Sequence, residues 1–304
     1  MRALVTGSVG FIGCHLCSRL VGDGWEVLGV DIRAEAQNNG NPHSFLAERK
    51  TFAGVRHLAG DVRDSGWVRE VAEGHRPDVI FHLAAIASVH DAERDAQLCY
   101  DTNIGGTESV LRAASHVGAR VVFASSSAVY GNDIGNLCPL GVYGKSKFEA
   151  EQLCSKSGLT SWVLRPFTVF GKFGREDMAA WRFASQIQNG EAVTLRQGSV
   201  RDMVDVRDTV RAFMQAGAPM QSADLNVADI GTGVGTDMGD FAGMIADALR
   251  LPLRVTTEKL PAFEAVSTRA DLRRGKGLSW APEIPAGKAV ADFVEWYKDA
   301  SLRR

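Results

Sequence analysis

The sequence predicts an α/β protein: a doubly wound parallel sheet with helices on both faces, followed by a smaller mixed α/β region. Three observations carry this. Over residues 1–165, short apolar runs alternate with helix-like segments, the pattern of a parallel sheet buried on both faces and joined by right-handed crossovers. A glycine-rich turn, "VTGSVGFIG", links the first apolar run to the first helix. After residue 166 the alternation becomes irregular. The division is therefore 1–165 for the sheet domain and 166–304 for a second domain, some of whose segments return to the first. The two share one cleft.

In order, strands are expected at 3–7, 26–31, 55–61, 78–85, 119–126 and 161–167. Each is a short run rich in apolar residues bounded by turn residues. A helix at 10–22 has apolar spacing through Ile12, Leu16, Leu20 and Val21. A long helical stretch covers about 94–117, and another helix runs from 142 to about 156. The second region offers a helix at 177–189, a strand near 192–196, and helices at 237–250 and 287–299.

Composition sets the class. At 304 residues the chain buries about three quarters of the surface its unfolded form exposes. It is 45% hydrophobic and 23% charged, as soluble globular proteins are. A net charge of −2 gives no electrostatic reason to expect nucleic acid or an anionic membrane as partner. No apolar run reaches the ~18 residues that span a bilayer. The start reads as a first strand, not a targeting segment. The five cysteines, Cys14, Cys17, Cys99, Cys138 and Cys154, are odd in number and scattered, which suits a reducing, cytoplasmic compartment. Cys14 and Cys17 fall inside a helix with no second pair to complete a zinc set, so packing is their expected role and no metal is expected.

The glycine turn places Gly7, Gly10 and Gly13 at G-x-x-G-x-x-G spacing, the mark of a Rossmann-type nucleotide site. Gly7 permits the tight turn, Gly10 admits a pyrophosphate, and Gly13 lets the helix pack closely. The helix start, with Phe11 and Ile12, presents free N–H groups and a partial positive charge to phosphates. Asp31, ending the second strand, can accept from both ribose hydroxyls and repel a 2′-phosphate, which favours NAD. Arg33 nearby keeps NADP in view. Asp61 and Val62 either flank the adenine or form a solvated turn. Leu83, Ala84 and Ala85 end the fourth strand, the alanines leaving room for a cofactor. His82, within it, is expected as a satisfied core histidine.

"SSSAVYGNDIGNLCPLGVYGKSK" (125–147) holds two candidate bases, Tyr130 and Tyr143. Four residues after Tyr130 stands Ile134, and four after Tyr143 stands Lys147. An i,i+4 pair shares one helix face, so Tyr143 is the choice. A free phenol ionises near pH ~10, so a base at neutrality requires about 4 kcal/mol. An ammonium ~5 Å away, at an effective dielectric of ~20, supplies about 3 kcal/mol, and the positive nicotinamide could supply the remainder. Ser126, at the carboxyl edge of the sheet beside Ser127, would hold the substrate oxygen and orient its proton.

Together "TGSVGFIG", "DVRD", "HLAA", "SSSAVYG", "YGKSK", "RPF", "RDMVDVRD" and "FVEWY" resemble the extended short-chain dehydrogenase/reductases of the nucleotide-sugar epimerase and dehydratase family. The resemblance spans nearly the whole chain. It implies tightly held, recycled NAD, a second domain that binds a nucleoside diphosphate sugar, and a homodimer built on the helices at 94–117 and 142–156. "RPFTVFGKFGREDMA" (165–179) looks most like the UDP-glucuronic acid 4-epimerases. That similarity implies a sugar-carboxylate clamp of Thr168 and Arg175, while Arg201 matches a diphosphate-binding arginine. Lys172 and Glu176 stand where those relatives carry prolines. Dehydratases of the family place an Asp-Glu pair, and decarboxylases usually a glutamate, where this chain has Ser127 and Ala128, so C4 epimerisation is the expected reaction. A clamp on the C5 carboxylate would keep it from leaving as CO2. Another nucleotide-sugar epimerase, decarboxylase or 4-ketoreductase, and an idle NAD-binding sensor module, are the alternatives.

Overall fold

Seven short strands, most of them too apolar to leave either face in water, set the architecture. The computed structural model describes residues 1–34, 46–219, 225–275 and 277–302. The chain runs β1 (Arg2–Thr6), α1 (Phe11–Gly22), β2 (Glu26–Asp31), α2 (Leu46–Ala53), β3 (Arg56–Ala59), α3 (Ser65–His75) and β4 (Val79–His82). There follow α4 (Val89–Arg94), α5 (Ala96–Tyr100), α6 (Gly106–Val117), β5 (Arg120–Ala124), α7 (Gly141–Lys156) and β6 (Ser161–Pro166). The remainder comprises β7 (Thr168–Phe170), α8 (Ala179–Gln188), β8 (Val193–Arg196), β9 (Val200–Arg201), β10 (Met203–Asp205), α9 (Val206–Ala216), β11 (Leu225–Ile230), β12 (Thr236–Asp237), α10 (Met238–Leu249), β13 (Val255–Glu258) and α11 (Ala286–Leu302).

The sheet order is β11-β6-β5-β4-β1-β2-β3, with every pairing parallel. Strand order reverses between β1 and β4, and the crevice above that switch is where open α/β sheets bind ligands. Period-two alternation divides the core. Ala3, Val5, Phe81, Val122 and Leu164 pack on one face with α1 and α9. Leu4, Val30, Ile80, Val121, Phe123 and Val163 pack on the other with α3, α6 and α7. Truncating a fully buried Phe81 or Phe123 to alanine costs about 3–5 kcal/mol.

Some elements differ from expectation. The helical stretch expected over about 94–117 is present from Ala96 to Val117, with Asp95 capping α5 by its side chain and Asp101–Gly105 forming a π-helical turn before α6. Asn103 on that turn is buried, donating to Ser146 Oγ at 2.8 Å and accepting from the Ile86 N–H at 2.8 Å. The wider turn aims one amide at both α7 and the segment after β4. The expected strands at 78–85 and 119–126 stop at His82 and Ala124, because the residues beyond them turn into the cleft. Helices α2 and α3, the short β7 and the edge strand β11 lie outside the expected set. β11 returns to the sheet beside β6, pairing Leu225 with Ser161 through Ile230 with Pro166. Its first half is only partly buried, which is why it shows no apolar run.

Candidate active site

Every residue singled out from the sequence as a site residue lines one cleft of about 910 Å³ above the switch point. At the nucleotide end, Gly7 turns the chain with φ +71°, and a Cβ there would stand 2.8 Å from the Leu83 carbonyl carbon and the Ala84 nitrogen. Cβ atoms at Gly10 and Gly13 would stand 2.9 and 2.1 Å from the Gly7 carbonyl oxygen. Both glycines are therefore already required by closure of the loop on itself, a reason more local than the pyrophosphate approach and the helix-on-sheet packing read from the sequence. Gly10 caps α1 without a side-chain acceptor, so the N–H groups of Phe11, Ile12 and Gly13 point out of the helix start toward the cleft.

Asp31 is buried against this loop, accepting from the Val9 N–H at 3.3 Å while Oδ1 takes the Arg33 N–H at 2.9 Å and Nε at 3.3 Å. Arg33 is thus tied to the carboxylate that would repel a 2′-phosphate. Arg63 holds the Asp61 carboxyl below its usual range, and Val62 packs beneath Gly106. His82 bonds Thr6 Oγ1 at 2.7 Å and Thr107 Oγ1 at 3.1 Å, and burial lowers its pKa to about 3. It is the satisfied core histidine expected. Cys14 and Cys17 are buried in α1 with thiols pushed up by burial.

At the chemical end, Tyr143, Lys147 and Glu151 stand at successive i,i+4 positions of α7. Three consecutive residues at the end of β5 meet them. Lys147 Nζ donates to the Ala124 carbonyl at 2.8 Å and lies 4.9 Å above the Phe123 ring. Ser125 Oγ donates to Glu151. Ser126 and Tyr143 line the same stretch of the cleft, and the Ser126 Oγ accepts from the Ala128 N–H at 3.1 Å, capping the turn Ser127–Tyr130. Tyr130, the rival base, is 1% exposed and locked between Arg165 and Asp229, each at 2.6 Å.

Burial raises the Tyr143 pKa, and what opposes it is the Ser126 side chain followed by the Arg175 guanidinium. Lys147 is drawn to the Ala124 carbonyl, and burial lowers its own pKa to about 8.

At the far end, Thr168 opens β7 and Arg175 reaches the same cleft. Arg175 is already paired bidentately with Asp177, at 2.8 and 3.0 Å. Arg201 meets Glu264 at 3.3 Å and donates to the Val200 and Val266 carbonyls, and Arg196 lies 4.0 Å from the same glutamate. Sequence reasoning missed Asp177, although its spacing from Arg175 was visible. It also missed Arg196, Glu264 and Arg49, which belong to no motif. Arg49, on α2, is 8% exposed and lines the cleft; its Nη2 donates to the Phe173 carbonyl at 2.7 Å, and its Nε finds no acceptor among the described residues.

The self-closing glycine turn, the carboxylate behind it and a buried arginine fit a dinucleotide, and the Ser126–Tyr143 pair stands ready for a hydroxyl at the same place. Such a constellation defines an enzyme that moves hydride with a nicotinamide cofactor. Comparison with known proteins agrees. The model of the NAD dependent epimerase/dehydratase family matches residues 3–228, and the chain belongs to that family. It is accordingly an NAD-dependent enzyme of the epimerase type. It is 27% identical to a probable UDP-glucuronate 4-epimerase of Rhizobium meliloti (strain 1021), over 100% of this chain and 98% of that one. Among solved structures it resembles a UDP-glucuronic acid 4-epimerase from Bacillus cereus in complex with UDP-glucuronic acid and NAD, with TM-score 0.88, 25% identity, and 98% and 99% of the two chains covered. A UDP-glucose 4-epimerase from Thermotoga maritima with UDP-glucose gives TM-score 0.88 at 25% identity, over 99% of this chain and 100% of that one.

Proposed function

We propose that the protein interconverts the C4 epimers of a UDP-hexuronate, UDP-glucuronate and UDP-galacturonate. The observation that carries the reading is the convergence of Ser126, with Tyr143 and Lys147 one turn apart on α7, in a cleft that also receives Thr168 and Arg175. Bound NAD supplies the hydride acceptor and donor for C4. Tyr143 takes the C4 hydroxyl proton and returns it, with Ser126 orienting the oxygen. Gly7, Gly10, Phe11, Ile12, Gly13 and Asp31 cradle the dinucleotide, and Arg49 offers its guanidinium to a phosphate. Arg201 and Arg196 face the diphosphate. Thr168 and Arg175 hold the C5 carboxylate by a hydroxyl and a planar cation. Ser127 and Ala128 bring no ionisable group to remove a C5 proton, so the keto sugar has one exit: reduction on either face.

The test is incubation with UDP-glucuronate, with and without added NAD+, and identification of the sugar by NMR. UDP-galacturonate supports the reading; a pentose with CO2 evolved overturns it. The bidentate hold of Asp177 on Arg175 favours a second reading, UDP-glucose as the substrate, because a neutral C5 substituent would not contend with that carboxylate.

Five unpaired cysteines suit the reducing cytoplasm. A homodimer through the 94–117 and 142–156 helices belongs to the same proposal. Their exposed residues include Glu108, Arg112, Lys145, Glu149 and Gln152, so the seam would be polar.

A further inference from the structure

We propose that Glu151 is a positioning residue for the reaction, acting through Ser125 to fix Ser126 against Tyr143. The inference rests on the reading of Ser126 and Tyr143 as the proton-handling pair.

The geometry is a ladder. Ala124 and Ser125, at the end of β5, bind Lys147 and Glu151, and Ser126, next in the chain, shares the cleft with Tyr143 of the same α7 stripe. The Glu151 rung is the one tied into the fold behind it. Arg165 on β6 grips Glu151 bidentately, Nε to Oε1 at 2.9 Å and Nη2 to Oε2 at 2.6 Å. Its Nη1 donates to the Tyr130 hydroxyl at 2.6 Å, and Tyr130 donates to Asp229 on β11 at 2.6 Å. Asp229 Oδ2 accepts from the Asp271 N–H at 3.1 Å, and the Arg165 and Arg274 guanidiniums lie 5.0 and 5.1 Å from the centre of the Tyr130 ring.

The segment 125–130 is thus anchored at both ends by one buried network, with Ser126 between the anchors. None of Ser125, Tyr130, Glu151, Arg165 and Asp229 is more than 5% exposed. Stability alone is a weak reason for such a pair, since an apolar replacement of similar volume is often as stable. What the charges add is direction: two carboxylate oxygens, a planar fork and a hydroxyl fix the place of Ser125 more narrowly than apolar contact would. Misplacement of a reacting group by about 1 Å costs on the order of 100-fold in rate.

The test is a double-mutant cycle on kcat, with Ser125→Ala, Ser126→Ala and both, on whichever of UDP-glucose and UDP-glucuronate is turned over. Ser125→Ala removes one buried hydroxyl and leaves the Glu151–Arg165 pair intact. It is expected to lower kcat roughly 10-fold with KM and NAD affinity unchanged, and to cost less than about twofold when Ser126 is already alanine. Glu151→Gln, if it folds, is expected to show the same dependence. Equal losses in both backgrounds, or wild-type kcat in Ser125→Ala, overturn the inference. Wild-type kcat in Ser126→Ala overturns the reading of the site, and the inference with it.

A readout free of turnover is ultraviolet difference titration of Tyr143 against Tyr143→Phe. Arg175 and Cys99 of α5 are the charged and titratable groups that act on that phenol, and Ser125→Ala touches neither. Ser126 acts to lower the phenol's pKa, so displacing it is expected to move the titration upward; an unmoved titration contradicts the inference.

Discussion

Asp177 decides how Arg175 behaves. A guanidinium held by two oxygens can accept a substrate carboxylate only by sharing or releasing its partner, and a partly exposed pair of this kind is worth about 1 kcal/mol or less. Asp177→Asn is therefore expected to improve kcat/KM for UDP-glucuronate by about fivefold and to leave UDP-glucose nearly unchanged. Unchanged preference in a two-substrate assay would mean that Arg175 does not face the sugar. His82 and His15 report on pH. Burial lowers their pKa values to about 3 and about 4 from 6.5. Both stay neutral in the fold and take up protons below about 6.5 once unfolded. The unfolded chain thus binds more protons across that window, and stability falls as the pH is lowered from 6.5 toward 4. Each contributes up to about 1.4 kcal/mol per pH unit. Urea midpoints at pH 7 and pH 5 measure this, and His82→Gln should flatten the slope; an equal slope in that variant would place the proton uptake elsewhere.

At the level of elements, the nucleotide turn was the most legible part of the chain, because glycine at Gly7 answers a backbone demand that no other residue meets without strain. The structure makes Gly13 the tightest of the three. Gly13→Ala places a methyl against the Gly7 carbonyl oxygen, and a backbone atom cannot step aside as a side chain would. A cost of about 1–3 kcal/mol should appear as a roughly 5- to 150-fold weaker NAD affinity by calorimetry; wild-type affinity would mean the loop is softer than its geometry. The Tyr143/Lys147 spacing gave α7 its face correctly. It did not reveal where the lysine points, because that depends on Ala124, a carbonyl of another element. Likewise the sequence showed the helical stretch near 94–117 but not the Asp95 cap or the π-helical turn within it, which depend on a local side chain and one buried amide.

For the whole molecule, the parallel sheet was readable from six apolar runs, and its seventh strand was not, since β11 lies at an edge with half its residues partly exposed. The sites that escaped sequence reasoning share one property: Arg49, Arg196 and Glu264 come from segments without motifs and meet the cleft only through tertiary packing. Assembly is a property of the same scale. The described residues with large exposed apolar side chains include none from α6 or α7, so a dimer through those helices would rest on charged contacts and weaken with salt. Light scattering is expected to give twice the 32.8 kDa chain mass at low ionic strength; a monomer under those conditions would remove the dimer. The account as a whole turns on one phenol beside a nicotinamide, and Tyr143→Phe addresses it most directly. With NAD binding retained, C4 epimerisation should fall by at least about 100-fold, whereas turnover at the wild-type rate would contradict the assignment.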